Sequence, residues 1–402
     1  MARLVFLGCI AYLAVGLGQL VVGTVMEPMV TAYGVQYGDG GQLVMNQFLG
    51  GMVGIMLAPW LIGRIGKKPL LLSAFTLMII AQTIYMFQPE WAIMLIIAPF
   101  AGFGFGTTEA VVGAFIIGSA AGNANVAMSR VEVFFGVGAL LMPFAGAALI
   151  ANGYWAAAFG IVGVTTVIAL LLWLLLWPKI LDRAGGHAAD EAERLAPSAT
   201  RSRKQVWTVL AACAIFFAMY VGFEMSFVHY LPSLLVNNNG LSESTAALSL
   251  SIYWGAMVIG RMVSGFAADR WGGGVYMLVT CIATAILFIL MGGLESVWAT
   301  FVLTFCAGLS MSGMFAIALV FANRAAPGMT EKTTSLMMAF GGIGGAFLPK
   351  LTGWFLDENG ADATRWLFAV FGLLMLAVMV WALLAARVPK RVIDPSVSVL
   401  KG

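Results

Sequence analysis

The chain has 402 residues, of which 61% are hydrophobic and 10% charged, with a formal net charge of +3. Soluble domains run near 45–50% apolar and about 25% charged, so a soluble enzyme, a disordered chain, a coiled coil and a disulfide-stapled secreted domain are excluded. So small a net charge gives no nucleic-acid partner. The four cysteines (Cys9, Cys213, Cys281, Cys306) and two histidines (His187, His229) lack ligand spacing, so neither a metal nor a cofactor is expected.

Apolar runs of the roughly 20 residues that cross a bilayer recur along the chain. The first is Leu4–Val25, carrying Gln19 and followed by Glu27-Pro28, with Glu27 expected in solvent. Arg3 ahead of it would suit a secretory signal, but the run is long and others follow, so it reads as a retained helix. Next come Leu43–Ile62 with Asn46 and Gln47, Pro69–Phe87 with Gln82, Ala92–Ile117 with Glu109, Val126–Ile150 with Arg130 and Glu132, and Tyr154–Trp177. The polar stretch 179–204 interrupts the pattern and reads as a linker between a bundle at 1–178 and a second at 205–402. The second half supplies Val206–Leu231 with Tyr220, Glu224 and His229, then Ala247–Phe266 with Tyr253, Trp254 and Arg261. Val275–Met291, Trp298–Phe321, Thr334–Phe355 and Trp366–Ala386 complete twelve.

Lysine and arginine fall almost wholly in the loops on one side, Arg64, Lys67, Lys68 and Arg270 among them, while Asp39, Glu90, Glu243, Glu295 and Asp357 mark the other. Positive loops stay in the cytosol, so both termini are expected to be cytoplasmic, in a bacterial inner membrane. Only Arg365 falls clearly on the acidic side, with Lys350 near that end of its helix.

The halves align at an offset of 206 residues. Gly63-Arg64-Ile65-Gly66 falls on Asp269-Arg270-Trp271-Gly272, Gly136-Val137-Gly138 with Pro143 on Gly342-Ile343-Gly344 with Pro349, and Gly102 on Gly308. Three matches in register point to duplication, the architecture of transporters whose halves rock about a central site.

Ionisable side chains at membrane depth are costly and line cavities or ion paths. Glu109, Arg130, Glu132, Glu224 and Arg261 qualify. Counted from the turn near residues 120–122, Glu109 and Glu132 sit at similar depth. Arg130 and Glu132, two residues apart, do not share a helix face, so Arg130 is expected to pair with Glu109. Two carboxylates beside one guanidinium would make a proton site. Gln19, Asn46, Gln47, Gln82, Tyr220, Glu224, His229, Tyr253 and Trp254 are the candidate solute-cavity residues.

The segment Gly265-Phe-Ala-Ala-Asp269-Arg270-Trp271-Gly272 resembles the loop signature of the major facilitator superfamily. The first-half copy keeps Arg64, Gly66, Lys67 and Lys68 but has Gly63 where that signature has an acid. The resemblance implies a twelve-helix, all-α membrane protein in two six-helix halves around a central cavity, functioning as a monomer. It also implies a latch formed by Arg64, Lys67, Lys68, Asp269 and Arg270, closed when the cavity faces outward; Arg261, toward the same end of its helix, is expected either to steady that latch near Asp269 or to meet the solute. Gly102-Phe-Gly104-Phe-Gly106-Thr-Thr-Glu109, Phe134-Phe135-Gly136-Val137-Gly138-Ala139 and Tyr220-Val221-Gly222-Phe223-Glu224 are similar to fucose-permease-like sugar:proton symporters. The departures are Thr24, Gly113 and Ser129, where that family has Asp, Asn and Asn. Gly138 to Ala147 with Pro143 also resembles the fifth-helix motif of drug:proton antiporters. The expected function is therefore proton-coupled solute transport, in the first place symport of a sugar-like solute and in the alternative proton-driven export of drugs, amphiphiles or other small metabolites, with no enzymatic chemistry.

Overall fold

A computed structural model describes residues 2–119, 124–183, 203–326 and 329–386. The described part is helical because a backbone in hydrocarbon must satisfy its own hydrogen bonds. The first half comprises α1 (Ala2–Thr24), α2 (Met26–Tyr33), α3 (Tyr37–Ile65), α4 (Lys67–Met86), α5 (Trp91–Ser119), α6 (Ala124–Ala151), α7 (Ala157–Leu175) and the short α8 (Ile180–Arg183). The second comprises α9 (Arg203–Asn239), α10 (Glu243–Trp271), α11 (Gly273–Gly293), α12 (Val297–Met311), α13 (Met314–Ala325) and α14 (Thr330–Ala386).

Among the described residues, 11 helical segments are long and apolar enough to cross a membrane. The last, Thr333–Ala386, has 54 residues, far more than one bilayer needs. It breaks at Gly360, whose φ of 78° reverses the chain, so it holds two crossings and the total is twelve. The tenth expected span is one crossing made of two helices, interrupted between Met311 and Met314. Residues 184–202 of the expected linker, the turn at 120–123 and the tail from 387 lie outside the described residues.

The offset of 206 is written in the backbone. Gly34 and Gly240 both have φ of 63°, and Gly66 and Gly272 both have φ of 88°. A Cβ on Gly102 would strike the Gln47 carbonyl, and one on Gly308 would strike that of Tyr253, 206 residues further on. Helices meet at these glycines because nothing larger lets two backbones approach so closely.

One end of the bundle carries the start of α1, Arg64, Lys67, Lys68 and Arg270; it is called here the basic end. The acidic end carries Glu27, Asp39, Glu90, Glu243 and Asp357. The halves join at the acidic end. There α3 packs on α14 and α6 on α10, and Gly23 of α1 backs onto His229 of α9. Cβ atoms on Gly38, Gly41 and Gly353 would meet residues of the opposite half. Toward the basic end the halves part. Met56 of α3 is 67% exposed and Met262 of α10 is 78% exposed, and Gly63, Gly265 and Gly272 have open space around them.

Candidate functional site

Helical periodicity sets Tyr220 and Glu224 four residues apart on α9, so both side chains rise on one face. Glu224 is buried, and its Oε1 has no hydrogen-bond partner. The hydroxyls of Tyr220 and Tyr253 border it, yet they donate to the carbonyl (3.2 Å) and the sulfur (3.5 Å) of Met311, where the tenth crossing breaks. Trp254 is buried with an unpartnered Nε1, and Ser226 has an unpartnered Oγ. Buried polar atoms left unpaired cost about 1–3 kcal/mol each, so each of these groups would gain from a polar partner.

From Trp254 the helix α10 runs two turns toward the basic end to Arg261, whose guanidinium carbon lies 5.9 Å from the Trp254 ring. Packing of α10 on α6 sets what Arg261 faces. Ser251 Oγ donates to the Leu140 carbonyl at 3.0 Å, Phe135 meets Trp254 edge-on at 6.0 Å, and Gly136 faces Val258. Continued one turn, this antiparallel register sets Glu132 opposite Arg261, across the two halves. Arg261 is within Coulombic reach of both Glu132 and Glu224. Glu132 in turn is within reach of Glu109, whose backbone carbonyl accepts from the Tyr12 hydroxyl at 3.1 Å. Glu109, Glu132 and Arg261 are each half-buried, and among the described residues none of them closes an ion pair.

The expected Arg130–Glu109 pair is not formed. Arg130 is exposed, because Phe135 and Gly136 turn the face of α6 that holds Glu132 toward α10, and Arg130 lies off that face. The cation among the carboxylates is Arg261.

The other expected cavity residues separate. Gln19 is half-buried on α1. Asn46 accepts from Gln42 at 2.8 Å and donates to the Leu95 carbonyl at 3.1 Å, tying α3 to α5. Gln47 and Gln82 are buried, Gln82 with an unpartnered Oε1. His229 is buried with Nδ1 2.7 Å from the Met225 carbonyl, one turn back on its own helix.

At the acidic end a node forms that no sequence motif announces. The Tyr37 amide donates to Asp357 at 2.9 Å and its carbonyl accepts from the Tyr230 hydroxyl at 2.9 Å. Its own hydroxyl accepts from Asn237 at 2.8 Å and reaches Glu27 at 2.9 Å. The Gly38 amide also donates to Asp357, at 2.6 Å, and Lys350 donates to the Gly38 carbonyl at 2.8 Å. Glu27, expected in solvent, is 9% exposed because Pro28 and α2 fold it under Tyr37. Arg365 is likewise no loop cation. It is buried and donates to the carbonyls of Met291 and Leu294, capping the end of α11. Among the described residues, no group of three His, Cys, Asp or Glu gathers.

Residues 8–291 and 225–399 match the Major Facilitator Superfamily. The chain belongs to that family. The glucose/mannose transporter GlcP of Bacillus subtilis is 27% identical over 378 residues, covering 92% of each chain. A solved D-xylose-proton symporter superposes with a TM-score of 0.76 at 15% identity, over 94% of this chain and 96% of the other. The nucleoside transporter NupG does so with a TM-score of 0.75 at 14% identity, over 94% and 99%. These two carry the fold. This superfamily member is thus a membrane transporter.

The residues expected to form the latch lie at the basic end. Arg64, Asp269 and Arg270 are exposed, and Arg64 rests 5.2 Å from the ring of Trp60 on its own helix. Lys67 donates to the Leu181 carbonyl at 2.9 Å, and Lys68 lies 5.7 Å from the Trp177 ring. Arg261 lies two turns from Asp269 and faces the carboxylates, away from the loop.

Proposed function

We propose that the chain carries a sugar-class solute together with protons by alternating access. The reading is carried by the juxtaposition of Glu109 and Glu132 with Arg261 across the two halves, beside the unpaired Oε1 of Glu224 and indole N–H of Trp254. The similarity to a glucose/mannose transporter supports the same solute class. Sugar hydroxyls both donate and accept, which suits an unpaired carboxyl oxygen next to an indole N–H. An aromatic face such as Trp254 suits the apolar face of a pyranose ring. Glu109 and Glu132 exchange the coupling proton, and Arg261 balances whichever of Glu132 and Glu224 is ionised.

By the positive-inside rule the basic end is cytosolic, both termini included. The closed acidic end then faces outward, so the structure is an inward-facing state. Rocking the halves would shut the loops around Arg64 and Asp269 and open the contacts around Tyr37. The protein works as a monomer in a bacterial inner membrane. The two bundles, 1–178 and 205–402, move as the two halves, joined by the linker 179–204.

The deciding experiment is transport into proteoliposomes with an imposed pH gradient, screening hexoses and pentoses against lipophilic cations. A gradient of one pH unit supplies about 1.4 kcal/mol per proton, a tenfold accumulation at one proton per solute. Sugar uptake along the gradient, lost in both Glu109→Gln and Glu132→Gln, supports the reading. Full gradient-driven uptake in both variants refutes the proton assignment. Exchange of a lipophilic cation against protons instead supports the exporter reading, which the Gly138–Ala147 segment with Pro143 favours.

A further inference from the structure

The closed acidic end contains a carboxyl that the transport mechanism above does not use. Glu27 lies on α2, between the first two crossings, and is buried under the Tyr37 ring system. Both of its oxygens lie 2.9 Å from the Tyr37 hydroxyl. That hydroxyl accepts from Asn237, a residue of the opposite half, so its own proton is directed at Glu27.

No cation neutralises this carboxyl among the described residues. Lys350 spends its amine on the Gly38 carbonyl. The charge that acts on Glu27 is a like one, Glu243 of α10. From α3, Asp39 holds the Gln36 amide at 3.1 Å, and from α14, Asp357 holds the amides of Tyr37 and Gly38. From α9, Tyr230 bonds the Tyr37 carbonyl and His229 its own helix. Burial therefore holds the Glu27 carboxyl above the usual carboxylate range, outweighing the hydrogen bonding of Ser233 and Tyr37 that favours the ionised form, with Glu243 adding to the rise.

Part of this cover comes from the opposite half, through the contacts of Asn237, Tyr230 and Asp357 with Tyr37. Separating the halves removes Asn237, Tyr230 and Asp357 from Tyr37 and lets water reach Glu27. We propose that Glu27 is a proton-binding site of the acidic-end gate, taking a proton from water as that end closes and returning it as the end opens. By linkage, the closed form that binds the proton more tightly is the form the proton stabilises. The sign follows. Closure is favoured at low pH and weakens as pH rises from the ordinary glutamate value, about 4.3, through the raised value of the closed form. Which compartment supplies the proton rests on the orientation read above, whereas proton-linked closure does not.

The test is hydrogen exchange, read by mass spectrometry, of the full chain in lipid nanodiscs. It follows peptides covering residues 35–41 between about pH 5 and pH 8. Rates are corrected for the intrinsic pH dependence of exchange. The Tyr37 and Gly38 amides, bonded to Asp357 when closed, should lose protection as pH rises, by up to about tenfold per pH unit inside the window. Glu27→Gln, a neutral mimic, should stay protected with a flat profile, and Glu27→Asp should keep a pH dependence. A Glu27→Gln profile that falls as the wild type does overturns the proposal. So does a variant unprotected at every pH, because Glu27 is then only a structural prop. No solute is needed, so this readout can fail or succeed independently of proton-driven sugar uptake.

Discussion

Asp357 of α14 caps the N-terminus of α3 by accepting from Gly38 at 2.6 Å, although the two residues are 319 positions apart and in opposite halves. A helix start leaves amides without intrahelical partners, and here the missing acceptor comes from the other bundle. The cap exists only when the acidic end is shut.

Asp357→Ala removes this contact from the closed form alone. Losing a cap costs about 1 kcal/mol, up to about 2, so the open acidic end should gain about 5- to 30-fold in population. Spin labels on Gln88 and Asn359, exposed residues of opposite halves at that end, should show a longer-distance component in this variant. An unchanged distance distribution would show that the cap does not hold the gate.

Arg261→Gln should abolish pH-gradient-driven accumulation while solute exchange at equal pH persists, and Arg261→Lys should restore part of it. The physical basis is that Arg261 is the cation within Coulombic reach of Glu132 and Glu224. Arg130→Gln, at an exposed position, should leave the pH profile of uptake unchanged. If the two variants exchange phenotypes, the register that sets Glu132 opposite Arg261 is not the working one.

Trp254→Phe keeps an aromatic face but removes an N–H that has no partner in the protein, together with part of a buried ring. The smaller ring leaves a cavity at this buried position, so thermal stability should fall modestly, while solute affinity falls by about 0.5–1.5 kcal/mol, roughly 2- to 12-fold. Glu224→Gln should weaken binding more. A loss of stability without a loss of affinity in Trp254→Phe would remove this residue from the solute site.

Gly102→Ala and Gly308→Ala should each destabilise the purified transporter, by about 1–3 kcal/mol, because the added methyl meets a backbone carbonyl that cannot step aside. Gly63→Ala, with nothing within 4 Å, should be neutral or slightly stabilising in this state. Thermal unfolding of the three variants in one detergent checks the contrast.

The crossings were legible because a bilayer demands long uninterrupted apolar runs, and the depth match of Glu109 and Glu132 followed from counting along a helical hairpin. The pairing was not legible. Arg130 and Glu132 lie on different faces by helical geometry, but which face looks inward depends on Phe135 and Gly136 meeting α10. A faint signal was present, since Glu132 lies one turn from Gly136 and Arg261 two turns from Trp254. Glu27 and Asp357 offered none. Their environment is made by chain segments up to 320 residues away, so acids near loops read as solvated.

By itself, the sequence determined that this chain lives in a membrane, crosses it twelve times and repeats itself at 206 residues, because hydropathy and duplication are written locally. Only the tertiary structure decided that Arg261 faces the carboxylates, that Glu27 is buried and that the halves meet at the acidic end. Those outcomes depend on how two bundles are rotated against each other, and a few cross-half hydrogen bonds and close glycine contacts set that rotation.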